Sequence, residues 1–259
     1  MIIFQATDFG LAGPYMGQMR AVLATQAPGI PVIDLFADLP MFEPQLAGCL
    51  LAAHIGALPE PCVILAVVDP GVGGDRHGMV LRLGQKWFVG PDNGLFRTVL
   101  AQQEEQEETP LTEIFRIPPA GPAASASFHG RDVFAPIAAK LARGDALPNS
   151  FQPIKAEMMV GTPETDLARV VYIDDYGNVM TGLRADKIEQ SAQVCLVSAE
   201  RPEQRLCPPL GWARTFGDRA PGEAFWYANS NGLMEVAVNK SAASTLFGAK
   251  IGDFVSVSN

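Results

Sequence analysis

Hydrophobic and polar positions divide the chain into two parts that follow different periods. In the first part, short apolar runs at 1–6, 30–36 and 62–68 are bounded by turn residues and predict strands. Between them, apolar residues recur at helical spacing over 15–26 and 44–58. Alternating strands and helices are typical of a mainly parallel sheet flanked by helices on both faces. We therefore expect an α/β domain in this part of the chain.

The alternation continues further along the first part. Two short strands are predicted across a turn at 79–83 and 86–89, and helices are predicted at 95–103 and 133–143. Residues 104–109 are expected to form a charged surface loop, because acidic residues packed so closely cannot all be buried.

The second part shows almost no helical spacing. After a connector rich in proline and polar residues at 145–168, five strand-like runs are separated by turn residues, at 169–173, 194–197, 224–228, 232–238 and 254–257. Only 241–246 favours a helical turn. This pattern predicts a smaller all-β domain, a barrel or a sandwich. We expect an α/β domain over 1–160 and the all-β domain over 168–259.

Composition narrows the class of protein. The net charge of −9 argues against a nucleic-acid partner, which would require clustered Lys and Arg. The chain contains no run of about 18 apolar residues, so we expect no membrane span. Its start lacks the features of a signal peptide. The four cysteines have no CxxC spacing, which favours unpaired thiols in a reducing compartment. We expect a cytoplasmic protein.

Polar residues follow two of the predicted strands at the point where each ends. Asp8 follows the first strand, and Asp69 follows the strand at 62–68 within the run VVDPGVGGDRHG, which also holds Arg76. Since the carboxyl ends of parallel strands form the binding crevice of an α/β sheet, the two carboxylates are expected at one edge. Asp92 and Asn93 can join them from a later turn. The alternative is a tight turn with a surface ion pair.

Three apparent motifs are set aside. DFG at 8–10 resembles the metal-binding tripeptide of kinases but has no catalytic domain before it, and the glycines at 71–78 match neither phosphate-loop pattern. His54, His77 and His129 are too scattered for a zinc site, so we expect no metal. His129 alone stands at the entrance to a predicted helix, where backbone donors suit polar ligands.

Six short motifs occur in an order that is specific as a set. They are TDFG at 7–10, VDPGVG at 68–73 with Arg76, GPDNG at 90–94, FHGRDVFAP at 128–136, DDYGN at 174–178 and NSNG at 229–232. With this set the chain resembles the S-adenosyl-L-methionine hydroxide adenosyltransferases, which are relatives of the fluorinase and the chlorinase. The resemblance spans nearly the whole chain.

The resemblance implies an N-terminal α/β domain, a C-terminal β-barrel and a homotrimer or a dimer of trimers. It implies a ligand site between the N-terminal domain of one subunit and the C-terminal domain of the next. The family's reaction displaces L-methionine from C5′ of S-adenosyl-L-methionine by a water-derived hydroxide, giving adenosine, and requires no cofactor. Its Asp/Arg/His set matches Asp69, Arg76 and His129. The halogenating relatives lack this set, which favours hydroxide over halide.

The resemblance also assigns the substrate contacts. Asp8 matches the carboxylate that binds the ribose hydroxyls, and Met41 or Phe42 stands where relatives place an aromatic near the purine. The adenine positions match Asn178 and Phe216, and the methionine positions match Asp174 and Ser230. Departures from the halogenases or the usual pattern occur at Gly13, Tyr15, Tyr176 and Asn231, and the last replaces an arginine that contacts the methionine moiety.

Two other functions are compatible with these residues. A non-catalytic sensor would bind adenosine or S-adenosyl-L-methionine in the same pocket without turnover, and a halogenase would use halide in place of water. Within the leading hypothesis, either Asp69 or His129 takes the proton from water, since both side chains are able to accept one.

Overall fold

The structure is a computed structural model, and it describes residues 1–105 and 111–258. Most of the predicted charged loop at 104–109 therefore lies outside the described residues. The chain divides into two compact units. The N-terminal unit comprises Met1–Leu51 and Ile55–Pro163, and the C-terminal unit comprises Ala52–His54 and Glu164–Asn259.

The N-terminal unit is built around one seven-stranded sheet with four helices. Its elements in chain order are β1 (Ile2–Thr7), α1 (Tyr15–Gln26), β2 (Val32–Phe36), α2 (Pro44–Ile55), β3 (Cys62–Val67), β4 (Gly78–Leu83), β5 (Lys86–Pro91), α3 (Arg97–Glu104), β6 (Thr112–Ile117), α4 (Ala135–Ala142) and β7 (Gln152–Pro153). The strand order is β2-β1-β3-β5-β4-β6-β7.

The sheet is mixed, and its parallel half carries the α/β character. Strands β2, β1, β3 and β5 run parallel, whereas β4, β6 and β7 join antiparallel to their neighbours. All six residues of β3 are buried, as expected for a central strand with covered faces. Helices α1 and α4 contribute apolar side chains to the core on this sheet, among them Met19, Leu23, Ala138 and Leu141.

The C-terminal unit is a six-stranded antiparallel sheet that is nearly closed into a barrel. Its elements are β8 (Leu167–Ile173), β9 (Val179–Arg184), β10 (Gln193–Val197), β11 (Ala224–Ala228), β12 (Leu233–Val238), α5 (Ala243–Phe247) and β13 (Phe254–Ser258), with strand order β10-β13-β8-β9-β12-β11. Its core includes Val170, Val194, Trp226 and Val236. The predicted combination of an α/β domain and a smaller all-β barrel is confirmed.

Several boundaries differ from the prediction, and three strands were missed. Strand β2 starts two residues later than predicted, α2 ends at Ile55 because a turn follows, and the helix predicted at 133–143 is a π-helical turn, Gly130–Phe134, followed by α4. Strands β6 and β9 and the two-residue strand β7, which lies in the predicted connector, were not predicted. The four cysteines are buried and form no disulfide. Among the described residues no helix is long and apolar enough to span a membrane.

Candidate active site

Two carboxylates meet at one edge of the N-terminal sheet. Strands β1 and β3 pair in parallel with their last residues, Thr7 and Val67, in register. Asp8 directly follows β1, and Asp69 follows β3 after one further residue. Both side chains line the same cavity, of about 390 Å³. The structure thus brings Asp8 and Asp69 together where the strand pattern predicted.

An ion pair closes the glycine-rich turn after β3. Nε of Arg76 donates to Oδ1 and Oδ2 of Asp69 at 2.8 and 3.0 Å, and Nη2 of Arg76 also contacts Oδ2. The Asp69 side chain is 5% exposed and that of Arg76 12% exposed, so water screens the pair weakly. The guanidinium also lies over the ring of Phe134, 5.2 Å from its centroid, which adds a cation–π contact. The alternative of a solvent-exposed surface ion pair is therefore wrong.

His129 joins this pair through Arg76. Its Nδ1 lies 2.9 Å from Nη2 of Arg76. A guanidinium only donates hydrogen bonds, so Nδ1 must accept, and the proton of the neutral imidazole is on Nε2. Burial and then the positive charge of Arg76 lower the pKa of His129, while Asp69 and Asp132 oppose that shift. Asp69, Arg76 and His129 therefore form one hydrogen-bonded chain with a neutral histidine at its end.

Gly73 allows the turn and the histidine loop to pack together. Its φ is +78°, and a Cβ at this position would lie 2.5 Å from the carbonyl oxygen of Ala126. Only glycine fits, because the backbone conformation and the close approach both exclude a side chain. Ala126 precedes His129 by three residues, so this contact brings the segment of Asp69 and Arg76 to the segment of His129.

The loop before His129 is held by an ion pair on the π-helical turn. Arg131 donates to both carboxylate oxygens of Asp132 at 2.6 and 2.9 Å, and the backbone N–H of Ser125 donates to the same carboxylate at 2.8 Å. The hydrogen bonds from Arg131 lower the pKa of Asp132. π-Helical turns often occur at functional sites, and this one directly follows His129.

Aromatic rings form one wall of the cavity. Phe9, Tyr15 and Phe128 pack edge to face, with ring centroids 5.4 to 5.9 Å apart. The other lining residues are Asp8, Met41, Phe42, Val67, Asp69, Val72, Ser127, His129 and Gly130. An apolar wall with a few convergent polar groups is typical of a small-molecule site. Sequence patterns assign no role to Phe9 and Phe128, because the convergence of their rings depends on the fold.

Asp8 is fixed from the opposite rim. Its Oδ2 accepts a hydrogen bond from the backbone N–H of Phe42 at 3.4 Å. Burial raises the pKa of Asp8, the hydrogen bond from Phe42 opposes this, and the charge of Asp69 adds to it. Phe42 is 70% exposed and has φ +61°, a left-handed conformation that is uncommon for a bulky residue. Met41 and Phe42 both line the cavity, so the structure does not separate these two candidates.

Asp92 and Asn93 do not line this cavity, contrary to the suggestion from their turn. Asp92 is buried, and its Oδ1 accepts from the backbone N–H of Val160 at 2.9 Å. Asn93 donates to the carbonyl of Val68 at 2.8 Å. Asn93 therefore supports the strand end next to Asp69 from behind.

The C-terminal unit contains the second group of predicted residues. Asp174, Asn178 and Phe216 line an open cavity of about 560 Å³, together with Tyr176, Val238, Lys240, Ser241 and Ala242. Ser230 does not line it and lies in an exposed loop. The sequence analysis did not identify Lys240, because no local pattern predicts its left-handed φ of +58°.

Local turns fix the side chains of Asp174, Asn178 and Phe216. Asp174 and Asn178 close the β8–β9 turn, where the backbone N–H and the side-chain amide of Asn178 donate to the two oxygens of Asp174 at 2.8 and 2.9 Å. Phe216 begins a short 3₁₀ turn that Thr215 and Asp218 cap reciprocally. Its ring packs against Phe225, with centroids 5.2 Å apart. The side-chain oxygen of Asn178 is thereby directed away from the carboxylate of Asp174, and Phe216 presents a ring at the cavity.

Comparisons with known proteins agree across the whole chain. Residues 3–150 match the N-terminal domain of the SAM hydroxide adenosyltransferases, and residues 168–256 match the C-terminal domain of the same family. A (R)-S-adenosyl-L-methionine hydrolase from Thermus thermophilus is 37% identical, and the match covers 96% of each chain. A crystal structure of a conserved protein from Thermotoga maritima superposes with a TM-score of 0.82 at 29% identity, covering 100% of both chains.

A halogenating enzyme is a more distant relative. A fluorinase from Actinopolyspora mzabensis is 24% identical over 99% of this chain and 96% of its own length.

Proposed function

The chain belongs to the SAM hydroxide adenosyltransferase family, and from that premise we propose that it hydrolyses S-adenosyl-L-methionine to adenosine and L-methionine. The observation that carries the proposal is the hydrogen-bonded chain of Asp69, Arg76 and His129 at the wall of a cavity that also holds Asp8. The family resemblance assigns this set to hydroxide chemistry rather than halide chemistry.

In the proposed reaction, water attacks C5′ in line with the bond to sulfur. The C5′–S bond breaks, its electron pair goes to sulfur, and the positive sulfonium becomes the neutral thioether of methionine. Because the sulfonium is already a good leaving group, the reaction needs no cofactor and no acid at sulfur. The enzyme's task is to align the water and remove its proton.

The proton passes from the attacking water to Asp69 and then to solvent. His129 accepts a hydrogen bond from Arg76 at Nδ1, so it meets the water as an Nε2–H donor. Arg76 remains protonated throughout, and it orients Asp69 and stabilises the negative charge that develops on the oxygen. This assignment decides between the two acceptors that the sequence left open.

The two cavities bind different parts of the substrate. Asp8 accepts hydrogen bonds from the ribose hydroxyls, and Met41 or Phe42 contacts the purine. Phe216 stacks on the adenine and Asn178 hydrogen bonds to its edge, whereas Asp174 and Ser230 bind the methionine end. The two parts of the ligand site come from neighbouring subunits of a homotrimer or a dimer of trimers.

Incubation of the purified protein with S-adenosyl-L-methionine in water enriched in oxygen-18 tests the proposal. We expect adenosine and methionine in equal amounts, with the heavy oxygen on the 5′ carbon of adenosine. Tight binding without release of adenosine would favour the sensor. A halide-dependent 5′-halo-adenosine would favour the halogenase. Either result would overturn the proposal.

A further inference from the structure

A buried carboxylate of the C-terminal unit is not used by the proposed reaction. Glu235, on β12, is 1% exposed. Its Oε1 accepts from the hydroxyl of Tyr227, which stands directly opposite on β11, and its Oε2 accepts from the side-chain amide of Asn229 at 2.9 Å. Burial raises the pKa of Glu235, and the two hydrogen bonds oppose that shift. Such a group is retained in an apolar setting only when its oxygens are well satisfied.

Asn229 is oriented by the loop that it begins. Its Oδ1 accepts from the backbone N–H groups of Asn231 and Leu233, both at 3.0 Å. The amide nitrogen of Asn229 must therefore face Glu235, and the opposite orientation would break three hydrogen bonds. Glu235 thus holds the 229–232 loop, which carries Ser230.

Tyr227 connects the carboxylate of Glu235 to the ring of Phe216, which is proposed to stack on the adenine. Its ring packs against Phe216 and Phe225, with centroids 5.4 and 5.6 Å away. Alternation along β12 explains the arrangement, because Met234 and Val236 belong to the barrel core while Glu235 lies between them on the opposite face of the strand.

We propose that Glu235 is a positioning residue that holds Phe216 and the 229–232 loop in one geometry, so that the adenine and methionine parts of the substrate are bound together. This inference rests on the proposed function for the identity of the ligand. The positioning itself depends only on contacts within the C-terminal unit.

Two substitutions separate geometry from charge. Glu235→Gln keeps both contacts, since its oxygen accepts from Asn229 and its NH₂ group donates to the hydroxyl oxygen of Tyr227. Glu235→Ala removes both contacts. It leaves the hydroxyl of Tyr227 and the side-chain amide of Asn229 without their acceptor, and we expect this to loosen the positions of both side chains. Tyr227→Phe keeps the ring and removes one contact, and it serves as the second variant should Glu235→Ala fail to fold.

Thr181→Val is the matched control. Thr181 is fully buried on β9, next to β12, and its hydroxyl donates to the carbonyl of Met234 at 2.8 Å. The substitution removes this hydrogen bond and the one that the hydroxyl accepts from the backbone N–H of Leu183 at 3.3 Å, and it leaves the hydrogen bonds of Glu235 in place. A loss of stability alone would affect Thr181→Val and Glu235→Ala alike.

Steady-state kinetics and amide hydrogen exchange test the proposal on the full-length protein. We expect Glu235→Ala to raise KM for S-adenosyl-L-methionine about tenfold with kcat little changed, and Tyr227→Phe to raise it about threefold. Glu235→Gln and Thr181→Val should stay within about twofold of the unmodified protein. Exchange at the amides of Asn231 and Leu233 should accelerate about tenfold in Glu235→Ala and not in Thr181→Val.

An unchanged KM in Glu235→Ala, or an equal rise in Glu235→Gln, would overturn the positioning role. If the unmodified protein releases no adenosine, the proposed function fails, and the exchange measurement still decides whether Glu235 holds the loop. Unaccelerated exchange at both amides in Glu235→Ala would refute the role whatever the substrate.

Discussion

Two carboxylates of this protein, Asp69 and Glu235, are held in opposite ways. Asp69 faces the guanidinium of Arg76 and lines a cavity, whereas Glu235 accepts hydrogen bonds from the neutral groups of Tyr227 and Asn229 and lies behind the ligand-facing residues. A cation balances the charge of the first, which we propose to be the carboxylate that takes the proton from water. Neutral donors surround the second, which therefore fixes the position of its donors. Burial alone does not distinguish a reacting carboxylate from a positioning one, but the partners do.

Replacing each of the two carboxylates by its amide gives the largest expected difference in kcat. We expect Asp69→Asn to lower kcat about 10²- to 10⁴-fold, because the amide cannot take the proton from water and leaves Arg76 without its counter-charge. KM should change little, since the substitution leaves Asp8, the proposed ribose-binding residue, unchanged. Glu235→Gln should keep kcat. Steady-state assays of adenosine release measure both.

Asp75→Asn is the control in the same turn, because Asp75 is exposed. It should retain activity. Equal losses in Asp69→Asn and Glu235→Gln would show that the two carboxylates do not have different roles.

Mixing of subunits tests whether the two regions serve one site across an interface. Asp69→Ala and Asp174→Ala should each be nearly inactive alone. Co-expressed in equal amounts and assembled at random into trimers, they should recover roughly one quarter of the sites, because one subunit supplies the intact N-terminal part and its neighbour the intact C-terminal part. Activity per subunit after purification of the mixed assembly gives the measurement.

Co-expression of two differently tagged Asp69→Ala chains is the control for that mixture and should recover nothing. If the Asp69→Ala and Asp174→Ala mixture also recovers nothing while mixed trimers are present, the two parts do not come from neighbouring subunits.

The smallest expected effect is a shift in the titration of His129. Burial and Arg76 lower its pKa below 6.5. The unfolded chain therefore takes up this proton first, so folding stability falls as the pH drops below 6.5 and levels off below the pKa of the folded state. Because Asp69 opposes the shift, Asp69→Asn should lower the pKa of His129 further. NMR titration of the imidazole measures this change.

Glu235→Gln is the matched control for the titration, and it should leave the pKa of His129 unchanged. A rise of that pKa in Asp69→Asn would contradict the arrangement of the three charges.

Much of the fold follows from periodicity, and the position of the first two carboxylates follows with it. The buried run of β3 and the apolar start of β1 predict neighbouring parallel strands, and from these the common edge of Asp8 and Asp69 is deduced. Strand β6 was missed because Glu113 and Arg116 interrupt its apolar positions. Strand β9 was missed because Gly182 stands within it, where close packing on the carbonyl of Leu167 excludes a side chain.

The rest of the site depends on pairings that no local pattern contains. The contact of Arg76 with His129 joins segments 53 positions apart. The contact of Tyr227 with Glu235 depends on the register of β11 and β12, which a shift of one residue would abolish. Ser230 and Asn93 also show that a residue within a specific motif need not line a cavity. Motifs identified Arg76, His129, Ser230 and Asn93 but neither Tyr227 nor Glu235, and only the fold assigns the partners of all these residues.

The close approach of Gly73 to the carbonyl of Ala126 makes this position sensitive to substitution. One added carbon, in Gly73→Ala, would push the turn away from the carbonyl of Ala126 and strain the backbone. Asp69 and Arg76 belong to the same turn and would move together, so their ion pair should survive while the contact with His129 is lost. A single methyl group would thus separate the ion pair of Asp69 and Arg76 from His129 and leave all three side chains unchanged. If Asp8 binds the ribose as proposed, the Gly73→Ala protein should bind S-adenosyl-L-methionine but hydrolyse it slowly, which would make it a substrate trap for crystallography.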